Sequence, residues 1–187
     1  ERAGMNLGEC AAFLVLETRT HAERRGANCC ATLRGYGLSC DAHHMTAPPP
    51  DGQGAVRAML AALKDAKLTA DAIDLVNAHA TATPQNDAAE TQALTSVFSG
   101  RTRPLYVTGT KSMTGHCLGA AGAIEAVLTV RALQTQIIPP TIHSQNSILE
   151  EPFFLVQKPQ FRAPIQCAMS NSFAFGGNNG VLIFQKN

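Results

Sequence analysis

Apolar positions run along this chain in two rhythms. Residues 11–17 (Ala-Ala-Phe-Leu-Val-Leu-Glu) form a short, nearly unbroken apolar run that reads as a buried strand. Residues 30–41 read as a second strand, with Gly35 and Gly37 marking a bend or bulge. Residues 18–26, between them, are charged and read as a solvated connection. Residues 46–54 carry three consecutive prolines with Asp51, Gly52 and Gly54, the composition of a loop and the place to expect an internal boundary.

Beyond that loop, helix and strand patterns alternate. Val56, Met59, Leu60 and Leu63 recur at helical spacing up to Lys64 and Lys67, and residues 74–78 predict a short strand. Residues 87–98 predict a helix with Asp87 as N-cap, Glu90 three residues on as its capping-box partner, and an apolar face of Ala89, Ala93, Leu94, Val97 and Phe98. Residues 104–110 predict a strand. Residues 119–134 predict a helix whose small-residue start lets it lie close against other backbone. Residues 137–143 are extended and Pro-containing. Residues 153–156, 167–172 and 180–185 predict three closing strands, with a tight turn at Gly176-Gly177 before the last. Strands alternating with helices predict an α/β layered sheet.

Composition narrows the partners. Hydrophobic residues make up 45% and charged residues 16%, and 15 basic side chains against 14 acidic ones leave a net charge of +1. No basic stripe stands out, which argues against nucleic acid and against an anionic membrane. The apolar runs fall far short of the ~20 residues that span a bilayer. The first residues, Glu-Arg-Ala-Gly, show no secretory pattern and no Met, and read as a cut into a longer chain. Six cysteines with no C-x-x-C and no export signal read as scattered, mostly buried thiols in a reducing cytoplasm, neither a disulfide framework nor a metal site.

Chemistry-bearing residues gather in three segments. In residues 77–91, His79 follows an apolar run and precedes Thr81, Thr83 and Pro84, at the strand end where an α/β sheet presents its chemistry. Lys111 and His116 lie in Gly-Thr-Lys-Ser-Met-Thr-Gly-His (109–116), which leads into Gly-Ala-Ala-Gly-Ala-Ile-Glu (119–125). Asn171 and Phe175 lie in Ser-Asn-Ser-Phe-Ala-Phe-Gly-Gly-Asn (170–178). Singly, each has an ordinary reading: a hydrogen-bonded histidine, a helix cap, a solvated lysine, a loop anchor. Glu125, between Ile124 and Val127 in an apolar helix, reads better as a buried, paired carboxylate.

In this order the three segments resemble the β-ketoacyl-acyl-carrier-protein synthases, the condensing enzymes of fatty acid and polyketide synthesis. The resemblance covers nearly the whole chain but only about the last half of such an enzyme, and it is nearest to the elongating synthases of discrete (type II) systems. It implies the C-terminal half of a thiolase-like α/β fold, a mixed five-stranded sheet flanked by helices. Residues 1–45 would be the last strands of the N-terminal half, and 46–187 the C-terminal half. Residues 11–17 would then pair with strands outside this chain.

For the site, the resemblance implies His79 and His116 as hydrogen-bond donors to the malonyl thioester carbonyl, with Lys111 beside them paired to Glu125. Thr81 and Thr83 would bind the phosphopantetheine arm, Phe175 would gate the acyl pocket, and Asn171 would order its segment. The implied reaction, an acyl transfer, is decarboxylative Claisen condensation of an acyl thioester with malonyl-carrier protein. It uses no metal or organic cofactor, since the substrates ride on the phosphopantetheine of acyl carrier protein. The implied partners are acyl carrier protein, the N-terminal half of the same synthase and, at full length, a second copy or a chain-length factor. The family's nucleophilic cysteine sits in a Thr-Ala-Cys-type sequence that this chain lacks, and Cys117 stands where the family has a bulky apolar residue. Ala80 and Ala174 replace glycines, Asn178 stands where threonine is common, and Cys10 interrupts a Leu-Gly-Glu-Gly pattern. The alternative is a non-catalytic subunit of the chain-length-factor type, against which intact His79, Lys111 and His116 argue.

Overall fold

The computed structural model describes residues 4–187. In chain order the elements are α1 (Arg19–Arg24), β1 (Thr32–Cys40), α2 (Gln53–Ala66), β2 (Leu75–Asn77), α3 (Pro84–Phe98), β3 (Leu105–Thr108), the one-turn α4 (Lys111–Thr114), α5 (Ala121–Thr135), β4 (Ile137–Ile138), β5 (Phe153–Leu155), β6 (Gln160–Phe161), β7 (Cys167–Ala174) and β8 (Asn178–Gln185). A six-stranded sheet has the order β1-β8-β7-β2-β3-β5, and β4 pairs with β6 in a separate ribbon. β7, β2, β3 and β5 run parallel to one another, while β8 is antiparallel to both β7 and β1. The strand expected at residues 30–41 forms as β1 and joins the other five at the sheet edge as a sixth.

Alternation along the strands builds two cores, one on each face. Val76, Met169, Val181 and Ile183 point to α2 and α3, packing with Met59, Leu63, Leu94 and Phe98. Leu75, Ala168 and Phe184, one residue out of phase, point to the α5 face with Leu133, Ile138 and Ile165. The result is three layers, helix on sheet on helix. Gly35 and Gly37 are required by the close approach of α2: a Cβ on Gly37 would lie 2.0 Å from the carbonyl oxygen of Ala58, and one on Gly35 would lie 2.5 Å from the Ala66 nitrogen. The expected bulge is present as a register shift between Leu33 and Gly35.

Two local expectations are corrected, and a third is refined. Residues 11–17 form no strand; Phe13 and Val15 are each 90% exposed, and no ladder partner faces them among the described residues. Apolar side chains call for burial, but a strand also needs a neighbour for its backbone groups. Residues 18–26 are solvated as expected, all exposed but Ala22, and α1 forms within them, with the Thr18 hydroxyl accepting the His21 N–H at 3.3 Å and Glu17 ion-paired to Arg25 and His21. α3 starts at Pro84, three residues before the expected cap, because proline at the first helical position has a preset φ and no N–H to leave unpaired. Asp87 therefore lies inside the first turn, and Glu90 is free to turn inward.

Candidate active site

Parallel strands deliver their carboxyl ends to one edge of the sheet, and the site forms there. His79 lies two residues past β2, and Lys111 opens the helix just past β3, the strand beside it. Asn171 and Phe173 come from β7, the parallel neighbour on the other side of β2. His116 follows α4, and Glu125 sits on the inner side of α5. Asn77 ties these elements together: its Nδ2 donates to the Glu125 carbonyl and the Thr129 hydroxyl, both at 3.2 Å, while the Thr110 hydroxyl donates to its Oδ1 at 3.1 Å.

Hydrogen bonding sets the protonation of both imidazoles. Lys111 Nζ lies 3.1 Å from His79 Nδ1 and also bonds Glu125 Oε1. An ammonium has only donors, so His79 Nδ1 accepts and the ring proton resides on Nε2. The Leu118 N–H donates to His116 Nδ1 at 3.1 Å, which places that ring's proton on Nε2 as well. The rings meet edge to face with centroids 5.5 Å apart. Burial first, then the Lys111 charge, then His116 hold His79 well below the usual histidine range. Burial and Lys111 lower His116 too. Two neutral imidazoles thus each carry one Nε2–H donor. The Glu125 carboxyl is pushed up to about 7, chiefly by burial, against the opposing pull of Lys111.

Glu90 is a member of this cluster that sequence reasoning placed elsewhere. Its two oxygens accept the backbone N–H groups of His79 and Ala80, each at 2.8 Å, and Oε1 also accepts from Asn171 Nδ2 at 3.2 Å. Burial raises its pKa against those three hydrogen bonds. The clamp holds Ala80 at a φ of 39°, in the left-handed region, where a Cβ costs about 1–2 kcal/mol. Ala174, the other alanine in place of a glycine, has a φ of −133° and bears no such strain. A signal for Glu90 was available: Asn86, Ala89, Glu90, Ala93 and Leu94 share one buried stripe of α3.

The remaining expected residues lie further out. The Thr81 and Thr83 hydroxyls are 2.9 Å apart and bond each other. Phe175 is 66% exposed at the β7–β8 turn, where Gly176 and Gly177 take φ values of 81° and 75°. Phe173 is the phenylalanine in ring contact with His79, at 5.6 Å between centroids. A cavity of about 770 Å³ opens at the edge of the sheet, lined in part by Ala80, Thr81, Glu90, Lys111 and His116. Thr83 and Phe175 are not on its wall. The cysteines are not mostly buried: Cys10, Cys29, Cys30 and Cys40 are exposed, and Cys117 and Cys167 are buried. Among the described residues no cluster of three or more His, Cys, Asp or Glu is arranged to hold a metal, and no helix is long and apolar enough to cross a membrane.

A three-layer α/β sheet with a His-Lys-His group at its carboxyl edge defines a protein of the thiolase-like class. Residues 30–145 match the family described as beta-ketoacyl synthase, C-terminal domain, and the chain belongs to that family. It is 45% identical to 3-oxoacyl-[acyl-carrier-protein] synthase 2 of Vibrio cholerae over 190 residues, covering 100% of this chain and 45% of the relative. Among solved structures, the ishigamide ketosynthase/chain length factor superposes with a TM-score of 0.92 at 38% identity, over 100% of this chain and 45% of that one. A type II PKS acyl-carrier protein in complex with its ketosynthase bound to the hexaketide gives a TM-score of 0.84 at 32% identity, over 91% and 42%. The chain spans less than half the length of these relatives.

Proposed function

We propose that this chain is the extender-binding part of a 3-oxoacyl-[acyl-carrier-protein] synthase acting in fatty acid or polyketide-type elongation, with 46–187 as the C-terminal half and 1–45 as the end of the half before it. The observation that carries this reading is the pair of Nε2–H donors on His79 and His116, set by acceptor bonds at both Nδ1 atoms. Malonyl thioester lying with its carbonyl oxygen between them loses carbon dioxide. The electron pair of the broken C–C bond moves into the enolate, whose oxygen takes two N–H bonds that strengthen as charge develops. The enolate carbon then attacks an acyl thioester on a cysteine supplied by another part of the synthase, and that thiolate leaves.

Lys111 serves two ends in this scheme. It donates to His79 Nδ1, preserving the Nε2–H tautomer, and its charge disfavours protonation of either imidazole. Glu125 holds the Lys111 ammonium in place. Thr81 and Thr83 would meet the phosphopantetheine arm, Phe175 would gate the acyl pocket, and Asn171 orders the site by holding Glu90. The reaction calls on no metal or organic cofactor, because N–H donors take the enolate charge. Acyl carrier protein, the N-terminal half and a second synthase-type subunit are the proposed partners, in the cytoplasm. The similarity to a ketosynthase/chain length factor pair favours one other reading, a subunit that shapes a partner's pocket without catalysing.

The deciding experiment is made in the synthase that contains this chain. His79→Ala and His116→Ala should each lower malonyl decarboxylation and condensation by about 10²–10³, the usual cost of one oxyanion donor, while acyl loading persists. Condensation within about fivefold of the parent in either variant would remove that histidine from the scheme and favour the non-catalytic reading.

A further inference from the structure

Ala80 is strained and sits beside a donor histidine, and strain of this kind persists only where the surrounding structure holds it. β2 and β3 are laced together up to the Ala78 N–H, which donates to the Thr108 carbonyl at 2.8 Å. Beyond that rung, no backbone hydrogen bond joins their extensions among the described residues. The next donors turn away: the Ala80 N–H goes to Glu90 Oε2 and the Gly109 N–H to the Thr141 hydroxyl, each at 2.8 Å. The Thr141 N–H donates in turn to the Val156 carbonyl at 2.6 Å, just past β5. Each peptide is thus anchored from behind, Ala80 on α3 and Gly109 on the end of β5. Between them stands the Ala80 methyl. A Cβ on Gly109 would lie 2.9 Å from it, while the next nearest atom, Thr141 Cγ2, would be at an ordinary 3.6 Å. Gly109 has no left-handed φ. Its missing side chain therefore answers to the Ala80 methyl and not to its own backbone.

We propose that Ala80 is a positioning residue whose methyl, matched by the bare Gly109, spaces the ends of β2 and β3 so that Lys111 donates to His79 Nδ1. His79 immediately precedes Ala80, and Lys111 follows Gly109 by two residues. A change in the gap between Ala80 and Gly109 is therefore passed directly to the 3.1 Å contact between Lys111 Nζ and His79 Nδ1. One methyl fits that gap. None leaves the two strand ends free to shift, and two collide. The contact keeps the His79 proton on Nε2, where the synthase reading uses it, so the functional part of the proposal rests on that reading. The strain at Ala80 follows from carrying the methyl on the histidine's own peptide, in the left-handed region.

The test compares Ala80→Gly, Gly109→Ala and the double variant with the parent. It reads histidine-ring nitrogen magnetic resonance on the folded chain, and malonyl decarboxylation in the synthase that contains it. In the parent, His79 should be neutral and protonated on Nε2 near neutral pH. Ala80→Gly should mix the two tautomers and move the His79 titration upward, because Lys111 is one of the groups that lower it. The same variant should lower kcat for decarboxylation by roughly 10–10²-fold with KM little changed, while its stability does not fall. Gly109→Ala should disturb the same ring signals and lower stability. In the double variant one methyl again fills the gap, from the other strand. Its ring signals should return to those of the parent and its kcat to within about threefold. An Ala80→Gly chain with the parent's His79 tautomer and titration would overturn the proposal, as would a double variant no closer to the parent than its worse single. Should Gly109→Ala fail to fold, recovery of the fold in the double variant supports the shared gap, and no recovery overturns it. The ring signals need no condensing reaction, so they judge the spacer even if the synthase reading fails, and a failed spacer leaves the donor role of His79 standing.

Discussion

Ala80 concentrates the local cost of this site. Its φ of 39° is held by the Glu90 clamp on its N–H. Ala80→Gly removes a strain of about 1–2 kcal/mol, but adds backbone entropy to the unfolded chain worth about 0.4–1 kcal/mol. The variant should be more stable by up to about 1.5 kcal/mol, as read by urea denaturation; a destabilised variant would mean that the strain is absent. Glu125 makes a pH-dependent prediction. Its carboxyl is raised from 4.5 to about 7 in the folded chain, so between those values the native state holds a proton that the unfolded state has lost. Its contribution is fully present below about 4.5 and is lost as pH rises through about 7. His79 and His116, lowered from 6.5, act in the opposite sense: their contribution grows with pH up to 6.5. Glu125→Gln deletes only the first effect, so the stability of the variant relative to the parent should climb with pH across the carboxylate window. Parallel stability profiles would show that Glu125 ionises normally.

At the level of elements, β1 and α2 meet at a close backbone approach. A Cβ at Gly37 would meet the Ala58 carbonyl at 2.0 Å and the Ala62 nitrogen at 2.5 Å, both backbone atoms that cannot rotate away. Gly37→Ala should therefore cost roughly 1–3 kcal/mol through displacement of α2, with a larger loss of near-ultraviolet than far-ultraviolet circular dichroism near the melting midpoint. A neutral substitution would mean that α2 stands further from β1. The helices at the site were legible to different degrees. α5 and the placement of Glu125 on its inner side follow from an apolar pattern with one carboxylate in it. α3 was legible as a helix, but its start was not. Asp87 and Glu90 fit a capping box in sequence, and only Pro84 one turn earlier, together with the rotation of the helix onto β2 and β7, turns Glu90 toward His79.

At the scale of the whole molecule, the proposed reading is of a donor group whose nucleophile is supplied by another part of the synthase. Of the two buried cysteines, Cys167 packs with the α2–α3 core and Cys117 has a raised pKa, which leaves little thiolate. Condensation passes through an acyl group held on an enzyme thiolate. The 187-residue chain alone should give no 3-oxoacyl product from acyl- and malonyl-carrier protein, and activity should return when the N-terminal half of the synthase is added. Product from the chain alone that survives Cys117→Ala would overturn the half-site reading. The exposed Phe13, Val15 and Leu16 give the same chain a surface prone to association. Sequence by itself determined the alternation of strands and helices after residue 46 and singled out His79, Lys111 and His116, which the fold brings together, because these rest on short spacings along a continuous backbone. It also marked residues 11–17 as an apolar strand with neighbours expected outside this chain. Only the tertiary structure decided that β1 joins β8, that Glu90 clamps the His79 peptide, and that both imidazoles carry their protons on Nε2. Each of these depends on how elements distant in sequence rotate and dock on the sheet, which no local pattern encodes.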